Sequence, residues 1–299
     1  MNFKTALLLF IIILEYNQTN AKLNNIDMQN KNIQYVTLNN GYRIWTKKTE
    51  QSKTPILLLH GGPGSTHEYF ECFEQFLPPA GYQVIFYDQL GSYYSDQPTD
   101  STLWQIDRFC EEVEQVRKTL GLNNFYLYGF SWGGILAIEY ALKYQQHLKA
   151  LIISNISASM KSYENYINEL RLQLPIEKQK NLEYFYSKHF CRLSVWPQAI
   201  TRTFGHRNKQ VYDTMQGPND FHVTGNLKEW DRWANLSKIH IPTLLIGAKY
   251  DVINPQDVRN MARAIPRATV FISHKGSHFT FYDDQKNYFS ELISFLKKN

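Results

Sequence analysis

Only three cysteines, Cys72, Cys110 and Cys191, occur among 299 residues. Their odd number and wide spacing give no disulfide framework, no CxxC pair and no metal-ligand pattern. A single disulfide is allowed, and buried free thiols are the simpler reading. The net charge of +5 comes without any run of basic residues, so there is no stripe on which nucleic acid would bind. Internal repeats and low-complexity blocks are lacking. No apolar run reaches the ~20 residues that a bilayer-spanning helix needs. The run from Ala6 to Leu14 follows Lys4 and leads into a polar stretch that ends in "TNA", Thr19 to Ala21. This is the layout of a cleavable secretory signal. Residues 1–21 are therefore expected to be a signal peptide, and the mature protein to be periplasmic or secreted without stable membrane insertion; an uncleaved anchor is the alternative.

What the chain does contain is core material. Hydrophobic residues make up 43% and charged residues 20%, and 20 Tyr, 18 Phe and 6 Trp argue against disorder. The stretch "IQYVTLNNGYRIWTKK" alternates on either side of Asn39 to Gly41, which predicts a hairpin at a sheet edge. Beyond it, the short apolar runs "PILLLH", "YQVIFYD", "NFYLYGF", "KALIISN", "IPTLLIGAKYD" and "ATVFISH" alternate with amphipathic stretches. Those stretches predict helices over Asp107 to Leu120, Gly133 to Tyr144, Pro255 to Ile265 and Asp283 to Lys297. The class is α/β: a doubly wound, mostly parallel sheet flanked by helices. Strand-like runs vanish between about Ser157 and Lys238, where aromatic and polar helix-compatible sequence predicts an inserted cap. The expected organisation is core over 22–156, helical cap over 157–238 and core again over 239–299.

Chemistry centres on Gly129-Phe130-Ser131-Trp132-Gly133. A G-x-S-x-G pentapeptide between a strand and a helix suits a sharp turn that exposes a nucleophilic serine, although glycines around a serine also occur in plain turns. A serine hydroxyl needs a base and an orienting carboxylate. Asp251 and His278 each follow a strand-like run, in the chain order Ser, Asp, His of α/β-hydrolases. His274 is a rival base, closer to its strand end and read as structural; Asp257 and Asp283 read as helix starters. The backbone N–H of Trp132 and one from His60-Gly61-Gly62-Pro63-Gly64 are the candidate oxyanion donors. A phosphate loop is the competing reading of that segment, but it lacks the Lys-Ser/Thr ending.

The segments "LLLHGGPGSTHEYF", "FYDQLGSYYSDQP", "YGFSWGGILAIEYALKY", "GPNDFHVTGNLKEWD" and "IPTLLIGAKYDVINP" resemble the proline iminopeptidase family of serine aminopeptidases. The nearest resemblance is to the branch of the tricorn-interacting aminopeptidase and L-amino-acid amidases, and it runs from about residue 33 to 298. It implies an α/β-hydrolase fold with a helical cap, no metal and no cofactor. The implied substrate is a short peptide or amino-acid amide with a free α-amino group. It implies Ser131 as nucleophile, Asp251 as acid, His278 as base, and Gly62 and Trp132 as oxyanion donors. Asp220 falls where relatives in this branch carry a glutamate that binds the substrate ammonium; a surface carboxylate starting a turn is the plain alternative. Two departures stand out. Val252 occupies the position of a second ammonium-binding glutamate, for which Glu229 or Asp231 could compensate unless they are solvated cap carboxylates. Gly91-Ser92-Tyr93-Tyr94-Ser95 replaces a GxGxS loop carrying an arginine, and its tyrosines are expected beneath the cap. Phe221, Trp230 and Trp233 either line the pocket or form the lid core.

Two other functions fit the same residues. An esterase or lactonase would use the same triad, and Asp220 separates it from an aminopeptidase. A secreted binding protein on a hydrolase scaffold has no need of an intact triad. A serine at position 131 argues against dehalogenase or epoxide-hydrolase chemistry, which would want an aspartate there.

Overall fold

The computed structural model describes residues 32–50 and 54–299. The signal-peptide expectation for 1–21 lies outside the described residues. Strands β1 (Ile33–Thr37) and β2 (Arg43–Lys48) pair antiparallel in the hairpin read from the sequence, and β2 joins β4 (Tyr82–Tyr87) antiparallel. From there β3 (Thr54–Leu59), β5 (Phe125–Phe130), β6 (Leu148–Ser154), β7 (Thr243–Ala248) and β8 (Ala268–Ser273) run parallel to β4 and to each other. The sheet order is β1-β2-β4-β3-β5-β6-β7-β8. All residues of β5 and β7 are buried, as strands covered on both faces require. "ATVFISH" is the exception among the apolar runs. It forms the edge strand β8, where Thr269 and Val270 are exposed.

Helices α1 (Ile106–Thr119) and α2 (Trp132–Tyr144) follow β4 and β5 within one residue of their sequence-derived starts. Four more lie between β6 and β7, in the stretch where strand-like runs vanish: α3 (Met160–Leu172), α4 (Leu182–His189), α5 (Gln198–His206) and α6 (Lys209–Met215). Three of these four begin on a side-chain cap. Ser159, Asn181 and Asn208 accept from the backbone N–H groups of Ser162, Tyr184 and Gln210, which supplies partners that a helix start otherwise leaves to water. Helix α7 (Pro255–Ala264) starts on an Asn254 cap with proline in first position. The short α8 (Thr280–Asp283) and then α9 (Gln285–Lys298) close the chain. Among the described residues no helix is long and apolar enough to cross a membrane.

One buried carboxylate fastens α5 to the loops of the sheet. Glu68 is almost fully buried, yet it accepts from Thr66 Oγ1 (2.7 Å), Tyr94 OH (3.1 Å), Arg202 Nε (2.9 Å) and His206 Nδ1 (2.8 Å). A buried charge is tolerated only when so surrounded. Tyr93 stacks on His206 with ring centroids 3.9 Å apart. Tyr93, itself exposed, and Tyr94 of the Gly91–Ser95 loop thus contact the end of α5.

Candidate active site

Close packing dictates the turn at Ser131. A Cβ on Gly129 would lie 2.2 Å from the carbonyl oxygen of Gly133, and one on Gly133 would lie 2.0 Å from that of Leu59. Only glycine fits on either side. Between them Ser131 is held at φ 54°, ψ −125°, a left-handed conformation that costs a non-glycine residue about 1–3 kcal/mol. Its N–H donates to Ser154 O (3.0 Å) and its carbonyl accepts from Gly134 N (2.7 Å), so both neighbouring elements hold the strained residue. Ser131 directly precedes the N-terminus of α2, where unpaired N–H groups favour developing negative charge.

Asp251 and His278 come together from the loops after β7 and β8. His278 Nδ1 lies 2.8 Å from Asp251 Oδ1. A carboxylate only accepts, so Nδ1 carries the hydrogen and Nε2 is left as the basic nitrogen. The other carboxylate oxygen accepts from Asn155 Nδ2 at 2.6 Å, and Asp251 is fully buried. The end of α4 helps hold His278 in place. His278 N donates to His189 O (2.9 Å) and Phe279 N to Phe190 O (2.8 Å) at the end of α4. His189 Nδ1 lies 3.0 Å from Tyr250 O, one residue before Asp251. Asp283 accepts from the N–H groups of Ser277 and Arg192, so it braces the His278 loop as well as ending α8. Burial raises its carboxyl above the usual range. His274 is exposed, whereas His278 is buried and lines the cavity.

That cavity gathers Ser131, His278, Gly62, Trp132 and Asp220. The backbone N–H groups of Gly62 and Trp132 have no hydrogen-bond partner among the described residues. Their loops are tied by Gln89, which accepts from Trp132 Nε1 (2.7 Å), donates through Nε2 to His60 O (2.9 Å), and donates its own N–H to His60 Nε2 (3.1 Å). His60 is fully buried, and desolvation lowers its basicity. A neutral ring with Nδ1–H turned to Gly61 O (2.8 Å) satisfies every contact. Tyr69 OH completes the loop's support by accepting from Gly61 N. Asn155, Gln89 and the His60 side chain carry this scaffolding; the sequence pointed to His60 only as part of the oxyanion segment and to the other two not at all. The available signal was position, since Asn155 ends "KALIISN" and His60 ends "PILLLH", each a polar residue at the carboxyl end of a strand.

The alpha/beta hydrolase fold family model matches residues 54–285. The proline iminopeptidase of Flavobacterium johnsoniae is 44% identical over 278 residues, covering 85% of this chain and 94% of the relative. That of Elizabethkingia meningoseptica is also 44% identical, with 86% and 94% covered. The chain belongs to the proline iminopeptidase family of α/β-hydrolases. It is thus a serine hydrolase of aminopeptidase type. The crystal structure of the Mycobacterium smegmatis proline iminopeptidase superposes with a TM-score of 0.84 at 28% identity, covering 89% of this chain and 98% of that one.

Against that family, the acidic residues divide clearly. Asp220 lines the cavity; Glu229 and Asp231 are exposed and do not. Val252 is buried and forms part of the cavity wall. Asp220 Oδ1 accepts from Tyr212 OH (2.8 Å) and Oδ2 from Tyr186 OH (2.5 Å), while its backbone O accepts from Tyr163 OH (2.8 Å). Burial, and next the charge of Asp220, raise the pKa values of Tyr186 and Tyr212 above the ordinary phenol value, so both stay protonated donors. Phe221, Trp230 and Trp233 do not line the cavity; the first two are buried and Trp233 is half-buried. Phe221 packs edge-on to Phe185, Trp230 donates to Glu139 Oε1 (2.6 Å), and the cavity's rings include Tyr69, Phe130, Tyr163, Phe190, Tyr212 and Phe279 instead. The three cysteines are free and buried, and burial pushes each thiol up to about 12. They have the character of inert core residues.

Proposed function

We propose that this protein is a serine aminopeptidase that releases the N-terminal residue, proline included, from short peptides or amino-acid amides. The observation that carries this reading is a tyrosine-held carboxylate, Asp220, in the same cavity as Ser131 and His278. Asp220 is half-buried and makes no ion pair among the described residues, and such a carboxylate is costly unless a cation meets it. Each Asp220 oxygen keeps a free lone pair, and a substrate ammonium fits that vacancy. An anchored amine sets the distance to the scissile bond, so a single residue is cut.

Ser131 Oγ attacks the carbonyl carbon as its proton passes to His278 Nε2. Asp251 holds the imidazole in the required tautomer and stabilises the imidazolium. The oxyanion is received by the N–H groups of Gly62 and Trp132, preorganised donors of the kind worth about 10²- to 10³-fold each. His278 then gives its proton to the leaving amine. Water, activated by the same nitrogen, frees the acyl group from Ser131.

Asp220→Asn tests the assignment. Its kcat/KM on aminoacyl arylamides is expected to fall about 10- to 100-fold, the size of a charge-assisted contact, with N-acetylated substrates and short acyl esters unchanged. Equal losses on both classes, or none on either, would remove the ammonium role. Val252 favours a second reading, since an apolar wall stands where a further carboxylate could meet the amine. A secreted esterase or lactonase with the same triad would hydrolyse the esters and ignore free-amine substrates. We also propose that residues 1–21 direct export, supported by the Ala6–Leu14 run and the small residues before Lys22. N-terminal sequencing of exported protein should begin at Lys22; a retained Met1 would contradict this.

A further inference from the structure

The cavity holds a cation that the acyl-transfer steps do not use. Arg207, the residue after α5, lines it, and Arg207 and Asp220 are the only Arg, Lys, Asp or Glu among the described lining residues. The guanidinium lies 4.2 Å from the centroid of the Tyr212 ring and 5.4 Å from that of Phe204. Half-buried, it makes no hydrogen bond or ion pair among the described residues. Aromatic faces hold a guanidinium while leaving its edge donors free, in a fork that matches a carboxylate.

Its neighbours fix where it stands. Asn208, the next residue, donates its N–H to Gly64 O (2.8 Å) and its side-chain amide to Gly91 O (2.8 Å), which pins this turn to the loop containing Gly62. On the other side, Tyr212 carries Arg207 on its ring and donates its hydroxyl to Asp220. The two opposite charges are thus separated by about one tyrosine ring. No ion pair joins them, because the Asp220 oxygens are held by Tyr186 and Tyr212 instead. A free cation beside an ammonium site opposes binding of a substrate that carries only an ammonium. It assists one that also brings an anion.

We propose that Arg207 binds a substrate carboxylate lying a few bonds from the free amine, so that zwitterionic substrates are preferred. This rests on Asp220 being the ammonium site. Two substrates offer that chemistry: a dipeptide, through the α-carboxylate of its second residue, and a peptide beginning with aspartate or glutamate, through the side chain.

The test compares kcat/KM within two matched pairs, alanyl-alanine against alanyl-alaninamide and glutamyl against glutaminyl arylamide, in the wild type, Arg207→Met and Arg207→Lys. In one pair the wild type should favour the carboxylate member at least about tenfold. Arg207→Met should bring that ratio close to one, and Arg207→Lys, which keeps the charge but loses the fork, should retain part of it. The pair that responds identifies the source of the carboxylate. Wild-type ratios near one in both pairs, or a preference that survives Arg207→Met, would overturn the proposal while leaving the aminopeptidase reading intact. If the wild type turned over no free-amine substrate in either pair, both would fall. The wild-type ratios and Arg207→Lys decide the matter even if Arg207→Met does not fold.

Discussion

Replacing Ser131 by alanine is expected to lower kcat by roughly 10⁴- to 10⁶-fold on every substrate, ester or amide, without loss of the fold. The size of the loss follows from the division of labour in the site. Without the hydroxyl there is no acyl-enzyme, and His278 and Asp251 have no nucleophile to activate. The amides of Gly62 and Trp132 and the binding cavity remain, so activity should settle above the uncatalysed rate rather than at it. Mass spectrometry gives an independent check. A serine-directed phosphonate should add once to the wild type and not at all to Ser131→Ala, whereas the cysteines, buried and with thiols pushed up to about 12, offer no competing thiolate. Labelling of the alanine protein would move the nucleophile elsewhere.

Asp251→Asn should cost about 10⁴-fold in kcat with little change in KM, and Asn155 makes the effect specific. In the native site Asn155 Nδ2 donates to Asp251 Oδ2 at 2.6 Å, and Oδ1 accepts from His278 Nδ1 at 2.8 Å. An asparagine at 251 must turn its oxygen toward the Asn155 donor, because two NH₂ groups at that distance repel. Its own NH₂ then faces His278 Nδ1. The ring is driven to the tautomer with hydrogen on Nε2, the nitrogen that must accept the serine proton. Adding Asn155→Ala removes the donor that fixes the amide and should return part of the lost rate. A double variant no better than the single one would show that Asn155 does not set the amide's direction.

Much of this was legible in the chain because it follows from local rules. G-x-S-x-G marks the elbow because a Cβ at Gly129 or Gly133 has no room. Asp251 and His278 stand out because they follow apolar strand runs in the right order, and the hairpin shows itself through Asn39 to Gly41. What the sequence hides depends on contacts across the fold. Gln89 links two loops only because β3, β4 and β5 lie side by side, and Asn155 matters only because β6 ends next to β7. The aromatic residues of 157–238 could not be sorted into pocket and core by type, since Phe221 and Phe190 look alike until packing turns one inward and the other toward His278. "ATVFISH" carries an apolar run like those of the inner strands, yet no described strand pairs with its outer edge. Arg207 could not be singled out at all, because its free guanidinium is defined by neighbours far from it in sequence.

The central claim is that a free amine, met by Asp220, directs Ser131 to the first peptide bond. It is tested most directly by kcat/KM on a matched set, prolyl and alanyl arylamides with and without an N-acetyl group, using Ser131→Ala as the blank. The free-amine members should be turned over, the acetylated ones at least about 100-fold more slowly, and none above background in the blank. Equal rates on free and acetylated substrates, or hydrolysis confined to the acetylated ones, would contradict it.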